Sequence, residues 1–295
     1  MFLLENKRLR VEISEPGETP NDGCRFDRAA FISDVTLDGA VHFCANEPKN
    51  LSHPSSGGRG LCCEYNANYS EEVEDGEYYP KLGVGLIKKN GPYHFYDRYP
   101  DVKEFPVTVT HDGATATFVT EPIPCLGYAV KVTKEVEVSG TTIRLKTTLE
   151  NVGEKEIVTK EYCHNFLSVD GMAISPDYAL DFPLLIHLEQ GALENHYPNP
   201  CNLYIEGTAV RFERAETAVS MTDLPLWPKM REPFTWKLSH AGAKASVEGA
   251  DFITPTGVRV WAVDHIISPE IFHVVTVKSG ESVSWKRSWT FETRV

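Results

Sequence analysis

The sequence predicts a mainly β chain whose antiparallel sheets stack face to face. Apolar and polar residues alternate with a period of two over long runs, and those runs come in pairs around short glycine-containing turns. Helical periodicity is scarce. No stretch of a dozen residues keeps an i, i+3, i+4, i+7 apolar stripe, and 19 prolines with 21 glycines fall often enough to interrupt one.

In chain order, the first pair is FPVTVTHDGATATFVTE (105–121), alternating on both sides of Asp112-Gly113. Next comes YAVKVTKEVEV (128–138), with Tyr128, Val130, Val132, Val136 and Val138 on one face and Lys131, Thr133, Glu135 and Glu137 on the other. A turn at Ser139-Gly140 leads into TTIRLKTTLE (141–150), where Ile143, Leu145 and Leu149 oppose Arg144, Lys146 and Glu150. This is an antiparallel hairpin. The closing run FHVVTVKSGESVSWKRSWTFE (272–292) reads as a third pair turning at Ser279-Gly280. The polar, turn-rich segments 46–60 and 66–80 are excursions of the kind that cap one end of a β fold, where sites are built. No linker divides the chain, so residues 1–295 read as a single domain, and no repeat of fixed period suggests a propeller.

Composition narrows the function. Lys+Arg number 29 against 42 Asp+Glu, a net charge of −13, which argues against a protein built to hold nucleic acid or an anionic membrane. No apolar run approaches the ~18 residues of a membrane span, and the opening MFLLENKRLRVEI lacks the order of a signal peptide. The expected location is the cytoplasm. The seven cysteines are odd in number and never spaced as CxxC, so they read as reduced, mostly buried small apolar side chains. GxSxG, P-loop, HExxH, EF-hand and strand–helix GxGxxG motifs are all absent. His187 and His196 are isolated and read as surface or packing residues, and most of the tryptophans (Trp227, Trp236, Trp261, Trp285 and Trp289) read as core, with none assigned to the site.

The stretch TTLENVGEKEIVTKEYCHNFLSVDG (147–171) is more specific. A strand ends in Glu150-Asn151-Val152-Gly153, turns, and a second strand runs into Cys163-His164-Asn165-Phe166-Leu167. This resembles the aldose 1-epimerase (galactose mutarotase-like) superfamily. DRAAFISDVTLDG (28–39), GGRGLCCEYN (57–66), PKLGVGLIKK (80–89) and the tail VWAVDHIISPEIFHVVTVKSGESVSW resemble further segments of that family, in the family's order and over most of the chain. The resemblance implies an antiparallel β-supersandwich with a sugar pocket on its concave face. It also implies interconversion of the anomers of a sugar, with no metal or organic cofactor, in a monomer or homodimer.

That chemistry needs a proton delivered to the ring oxygen and another removed from the C1 hydroxyl. The motif match assigns the acid to His164, an imidazole whose reference pKa of ~6.5 suits proton exchange near neutrality. Alternation puts His164 on one face with Val158, Lys160, Tyr162 and Phe166, and Tyr162 and Phe166 would form a wall for a sugar ring. The base is expected near VRVWAV (258–263). Glu270, read as a loop residue beside Ser268-Pro269, is preferred, with Asp264 held open. The resemblance makes Arg59 the counterpart of a sugar-contacting arginine, its glycine flanks allowing close approach. Lys81 stands where the family places a second histidine, a departure that puts ordinary hexoses in doubt. His94, Tyr96 and Arg98 in PYHFYDRY alternate and are expected to line the same pocket. Lys81, Arg59 and Arg98 together would favour an anionic or phosphorylated sugar. A non-catalytic carbohydrate-binding protein on the same fold is the alternative function. Acid and base are expected to face each other across the pocket with room for one sugar ring between them.

Overall fold

The computed structural model describes residues 1–18, 24–48, 55–182, 198–224 and 232–293; His187, His196 and Trp227 lie outside them. The strands are β1 (Phe2–Glu5), β2 (Leu9–Ser14), β3 (Phe31–Leu37), β4 (Val41–His42), β5 (Leu61–Tyr65), β6 (Tyr78–Lys81) and β7 (Gly85–Lys88). They continue with β8 (Val102–Glu104), β9 (Val107–His111), β10 (Thr115–Thr120), β11 (Val130–Ser139), β12 (Thr142–Asn151), β13 (Ile157–Asn165) and β14 (Tyr178–Asp181). The remainder are β15 (Tyr204–Glu206), β16 (Ala209–Arg211), β17 (Ser220–Leu224), β18 (Phe234–His240), β19 (Ala245–Phe252), β20 (Gly257–Val263), β21 (Ile266–Val277) and β22 (Ser282–Thr293). Among the described residues the only helical element is a 3-10 turn at Ser70–Glu72.

Two large antiparallel sheets hold most of these strands. The first runs β1-β2-β3-β5-β13-β21-β20-β17 with β4 beside β3, and the second runs β15-β16-β14-β18-β19-β22-β12-β11-β10-β9. A small sheet, β6-β7-β8, stands apart. The two earlier hairpins form as their alternation predicts, β9 with β10 and β11 with β12. The third does not. β21 pairs with β13 and β20 in the first sheet, whereas β22 pairs with β12 and β19 in the second. Alternation identifies both strands but not their partners, and their apolar faces meet across the sandwich instead of side by side. Asn151, from the ENVG turn, clamps this crossing. Its amide nitrogen donates to Val277 O at 2.9 Å, and the backbone N–H of Gly280 donates to Asn151 O at 2.9 Å.

The interior is apolar but threaded by charge. Val132, Val136, Leu145 and Trp289 of the second sheet and Val11, Val35, Ile271 and Val275 of the first belong to one buried cluster. Within it Arg287 of β22 donates two bonds to Glu161 of β13 (2.6 and 2.7 Å) and one to Asp251 of β19 (2.7 Å). His273 Nε2 meets Glu161 Oε2 at 2.7 Å, and Trp289 Nε1 donates to Asn165 Oδ1 at 2.9 Å. Burial acts to raise the Glu161 carboxyl, yet the Arg287 charge and the His273 and Arg287 bonds win and hold it down at about 2. Such a pair adds little over an apolar core, but breaking it strands a buried charge.

The ladder between β13 and β21 positions the site. It pairs Ile157–Glu161 with His273–Val277, opens, and closes again as a bridge between Leu167 and Ile267 in the same register. That register places His164 directly opposite Glu270 and Asn165 opposite Pro269. Pro269 has no N–H to give a ladder, and the Asn165 amide fills the interval by donating to Pro269 O at 2.6 Å. Among the described residues no helix is long and apolar enough to cross a membrane.

Candidate functional site

A cleft of about 1270 Å³ opens over the outer face of the first sheet. Strand side chains alternate between faces, so one parity of each strand supplies its floor: Glu64 on β5, Lys160, Tyr162 and His164 on β13, Glu270 and Phe272 on β21, and Arg259 and Trp261 on β20.

His164 sits at the centre, only 1% exposed but bordering the cleft. Its Nε2 lies 3.0 Å from Glu270 Oε1, and its Nδ1 lies 2.9 Å from Ser268 Oγ. The imidazole stacks on Phe166 with centroids 3.9 Å apart and planes 5° from parallel, and the edge of Trp261 approaches at 5.3 Å. Gly58 makes the stack possible, since a Cβ there would sit 2.2 Å from the Phe166 ring. Of the glycine flanks of Arg59, Gly58 thus serves packing beneath the imidazole, and Gly60, at φ 54°, lets the chain pass against the Ile32 backbone. Acid and base are therefore in contact, not a ring's width apart. The correction has a simple reason: the ring oxygen and the anomeric hydroxyl are bonded to the same carbon, so groups serving both must be neighbours. Glu270 is also a strand residue. The turn signal of Ser268-Pro269 is overridden because Pro269 faces the one interval where β13 asks for no ladder bond.

Beside this pair stands a second cluster. Arg25 donates from Nε to Glu64 Oε2 (2.6 Å), from Nη1 to Ser56 Oγ (3.2 Å) and from Nη2 to the Tyr162 hydroxyl oxygen (2.7 Å). The Tyr162 O–H donates in turn to Glu64 Oε2 at 2.5 Å. The guanidinium also lies near the Phe26 and Phe95 rings, at 4.8 and 4.4 Å. Burial opposes its charge, but the Tyr162 oxygen and Glu64 carboxylate overcome this and raise its pKa well above the ordinary value. For Glu64 burial pushes upward, yet Arg25 and Lys81 together hold it below the usual range. Burial drives the Tyr162 hydroxyl well up, so it stays protonated.

The other expected residues fall elsewhere. Lys81 is wholly buried behind Glu64, its ammonium donating to Tyr65 O, and burial pushes it down to about 8. It does not line the cleft, because β6 turns its side chain into the interior. Arg59 is also off the cleft, with Nη2 bonded to Ser14 Oγ at 2.6 Å. Asp264 occupies the turn between β20 and β21 with φ 55°, half exposed, 3.1 Å from the His265 ring. The segment around His94 and Arg98 is a turn, not an alternating strand: the Asp97 N–H donates to His94 O at 2.9 Å. His94 and Arg98 are exposed there, whereas Tyr96, the third residue of that expectation, lines the cleft together with Tyr93 and Phe95. The trio Lys81, Arg59 and Arg98 therefore does not converge. Among the described residues the cations that do line the cleft are Arg25, Lys160 and Arg259, of which Arg25 pairs with Glu64 and Arg259 with Asp223 at 2.5 Å.

Arg25, Glu64, Ser268 and Trp261 escaped sequence reasoning. Glu64 did leave a signal, as the one charge inside the otherwise apolar strand Leu61–Tyr65. Among the described residues no three His, Cys, Asp or Glu side chains converge as a metal-ligand set.

No protein-family model and no curated protein matches the sequence. Solved structures do. A galactose mutarotase-like protein from Lactobacillus casei superposes with a TM-score of 0.61 at 12% identity, covering 99% of this chain and 100% of that one. The chain has the galactose mutarotase-like fold. A galactose mutarotase related enzyme from Lactobacillus acidophilus gives 0.59 at 11% identity, over 99% and 97% of the two chains. An aldose epimerase homologue from C. elegans gives 0.52 at 9%, over 98% and 97%. At such identities the likeness is one of fold, and the function rests on the site.

Proposed function

We propose that the chain is an aldose 1-epimerase-like isomerase that interconverts the anomers of a sugar by general acid–base ring opening and closure. One observation carries this reading: an imidazole and a carboxylate in contact at 3.0 Å on the floor of a cleft large enough for a sugar. Glu270 takes the proton of the C1 hydroxyl while His164 gives one to the ring oxygen. The C1–O5 bond breaks, the aldehyde turns about C1–C2, and the roles reverse as the ring closes on the other face. Asp264, half exposed in its turn, is given no part.

Arg25 serves as a fixed donor toward sugar hydroxyls. Three of its N–H groups are already held, so little side-chain entropy is lost when the others bind. Tyr162, Trp261 and Phe272 offer apolar faces to the sugar's C–H bonds. Lys160, exposed at the rim 5.5 Å from the Phe272 ring, is the cation best placed for an anionic substituent. The buried Lys81 supplies no second imidazole at the cleft, and this favours, as the second reading, a protein that binds sugar without catalysis.

The test is anomeric exchange by NMR saturation transfer over galactose, glucose and their 6-phosphates. Exchange above the uncatalysed rate, lost in His164→Ala, is the expected outcome. Binding without exchange supports the second reading, and neither binding nor exchange across a wider aldose panel removes both.

A further inference from the structure

Ser268 and Glu270 stand two residues apart on β21 and so point to the same face of the sheet. They reach the two nitrogens of one imidazole, Ser268 at Nδ1 and Glu270 at Nε2. Ser268 is fully buried, and no bulk water reaches it to replace the hydroxyl. The other groups facing the ring are Tyr162 on its own strand, Phe166 just past that strand's end, Trp261 on β20, and Phe26 beside Arg25. Cys62 of β5 reaches only the backbone oxygen of His164.

We propose that Ser268 is a positioning residue that lets His164 change protonation state without losing its Nδ1 partner. This rests on the acid–base reading of His164. The argument lies in the partner's chemistry. A carboxylate at Nε2 favours a proton on that nitrogen. In the neutral ring Nδ1 is then an acceptor, and the Ser268 O–H donates to it. In the imidazolium Nδ1–H is a donor, and the Ser268 oxygen accepts after the hydroxyl turns about its C–O bond. A backbone carbonyl at this place would serve only a ring protonated at Nδ1, charged or neutral, and an amide N–H only a neutral ring with a bare Nδ1. The proton that passes to the sugar leaves from Nε2, beside Glu270, and the Ser268 hydroxyl holds Nδ1 in the imidazolium, in the neutral ring which that transfer leaves, and in the resting ring with its proton on Nε2.

Removing the hydroxyl harms the two states unequally, because a hydrogen bond from a charged donor is roughly twice as strong as a neutral one. Ser268→Ala therefore disfavours the imidazolium. The expected result is a downward move of about one pH unit in the His164 titration, followed by 15N NMR with the ring assigned from a His164→Gln spectrum. In the exchange assay kcat falls about tenfold with KM nearly unchanged, and the acid limb of the pH profile moves the same way. An unmoved titration in folded Ser268→Ala overturns the proposal, whatever happens to activity. Wild-type protein without exchange overturns the epimerase reading instead, while the titration still decides the role of Ser268.

Discussion

Glu161 and His164 lie three residues apart on β13, face opposite sides of one sheet, and are 0% and 1% exposed. Glu161 has both oxygens bonded, and its Arg287 bonds come from the opposing sheet. His164 takes Ser268, Glu270, Phe166 and Trp261 from its own sheet and keeps one border on the cleft. Burial does not separate a tie between layers from a reactive group. What separates them is whether the partners exhaust the group from across the core or leave it a side open to a ligand.

The largest test of this contrast is on the outer face. His164→Gln and Glu270→Gln are expected to lose ~10²–10⁴-fold in anomeric exchange, the usual worth of a positioned acid or base, with thermal midpoints close to wild type. Melting curves beside the exchange assay check this, and a large stability loss with unimpaired exchange would reverse the assignment. On the inner face Glu161→Gln leaves Arg287 with Asp251 as its remaining carboxylate partner and is expected to cost about 3 kcal/mol in urea unfolding, while the folded fraction still exchanges anomers.

The same carboxylate predicts a pH dependence. Its folded pKa of about 2 lies below the ordinary glutamate value of 4.5, so its stabilisation is complete above pH 4.5 and disappears as pH falls through about 2. Stability measured between those limits should slope steeply in wild type and flatten in Glu161→Gln. A parallel slope in both would locate the acid sensitivity elsewhere.

Gly58→Ala probes the contact beneath the imidazole. The new Cβ must displace Phe166, an overpacking worth ~1–3 kcal/mol, and exchange should fall several-fold with the loss of the stack. An effect confined to binding is expected for Arg25→Lys, which keeps the charge but loses the fork that meets Glu64 and Tyr162 at once. Titration of sugar binding should show about tenfold weaker affinity, equivalent to about 1.4 kcal/mol, with kcat little changed. A fall in kcat alone would make Arg25 part of the proton chemistry.

Alternation and turn residues in the sequence determined the β class, the hairpins at Asp112-Gly113 and Ser139-Gly140, and the shared face of Tyr162, His164 and Phe166, because a period of two is a local property of the backbone. The order of weak motifs pointed to His164, and the acids near its expected partner left Glu270 preferred with Asp264 open. Local pattern carries no information about partners, so only the tertiary structure decided that β21 and β22 part into different sheets. It also decided that Glu270 meets the imidazole while Asp264 turns to the surface. Arg25 and Glu64, 39 residues apart, became neighbours by the same long-range folding, and Lys81, Arg59 and Arg98 never met. Strand register brings distant side chains together, and register is set by the packed whole.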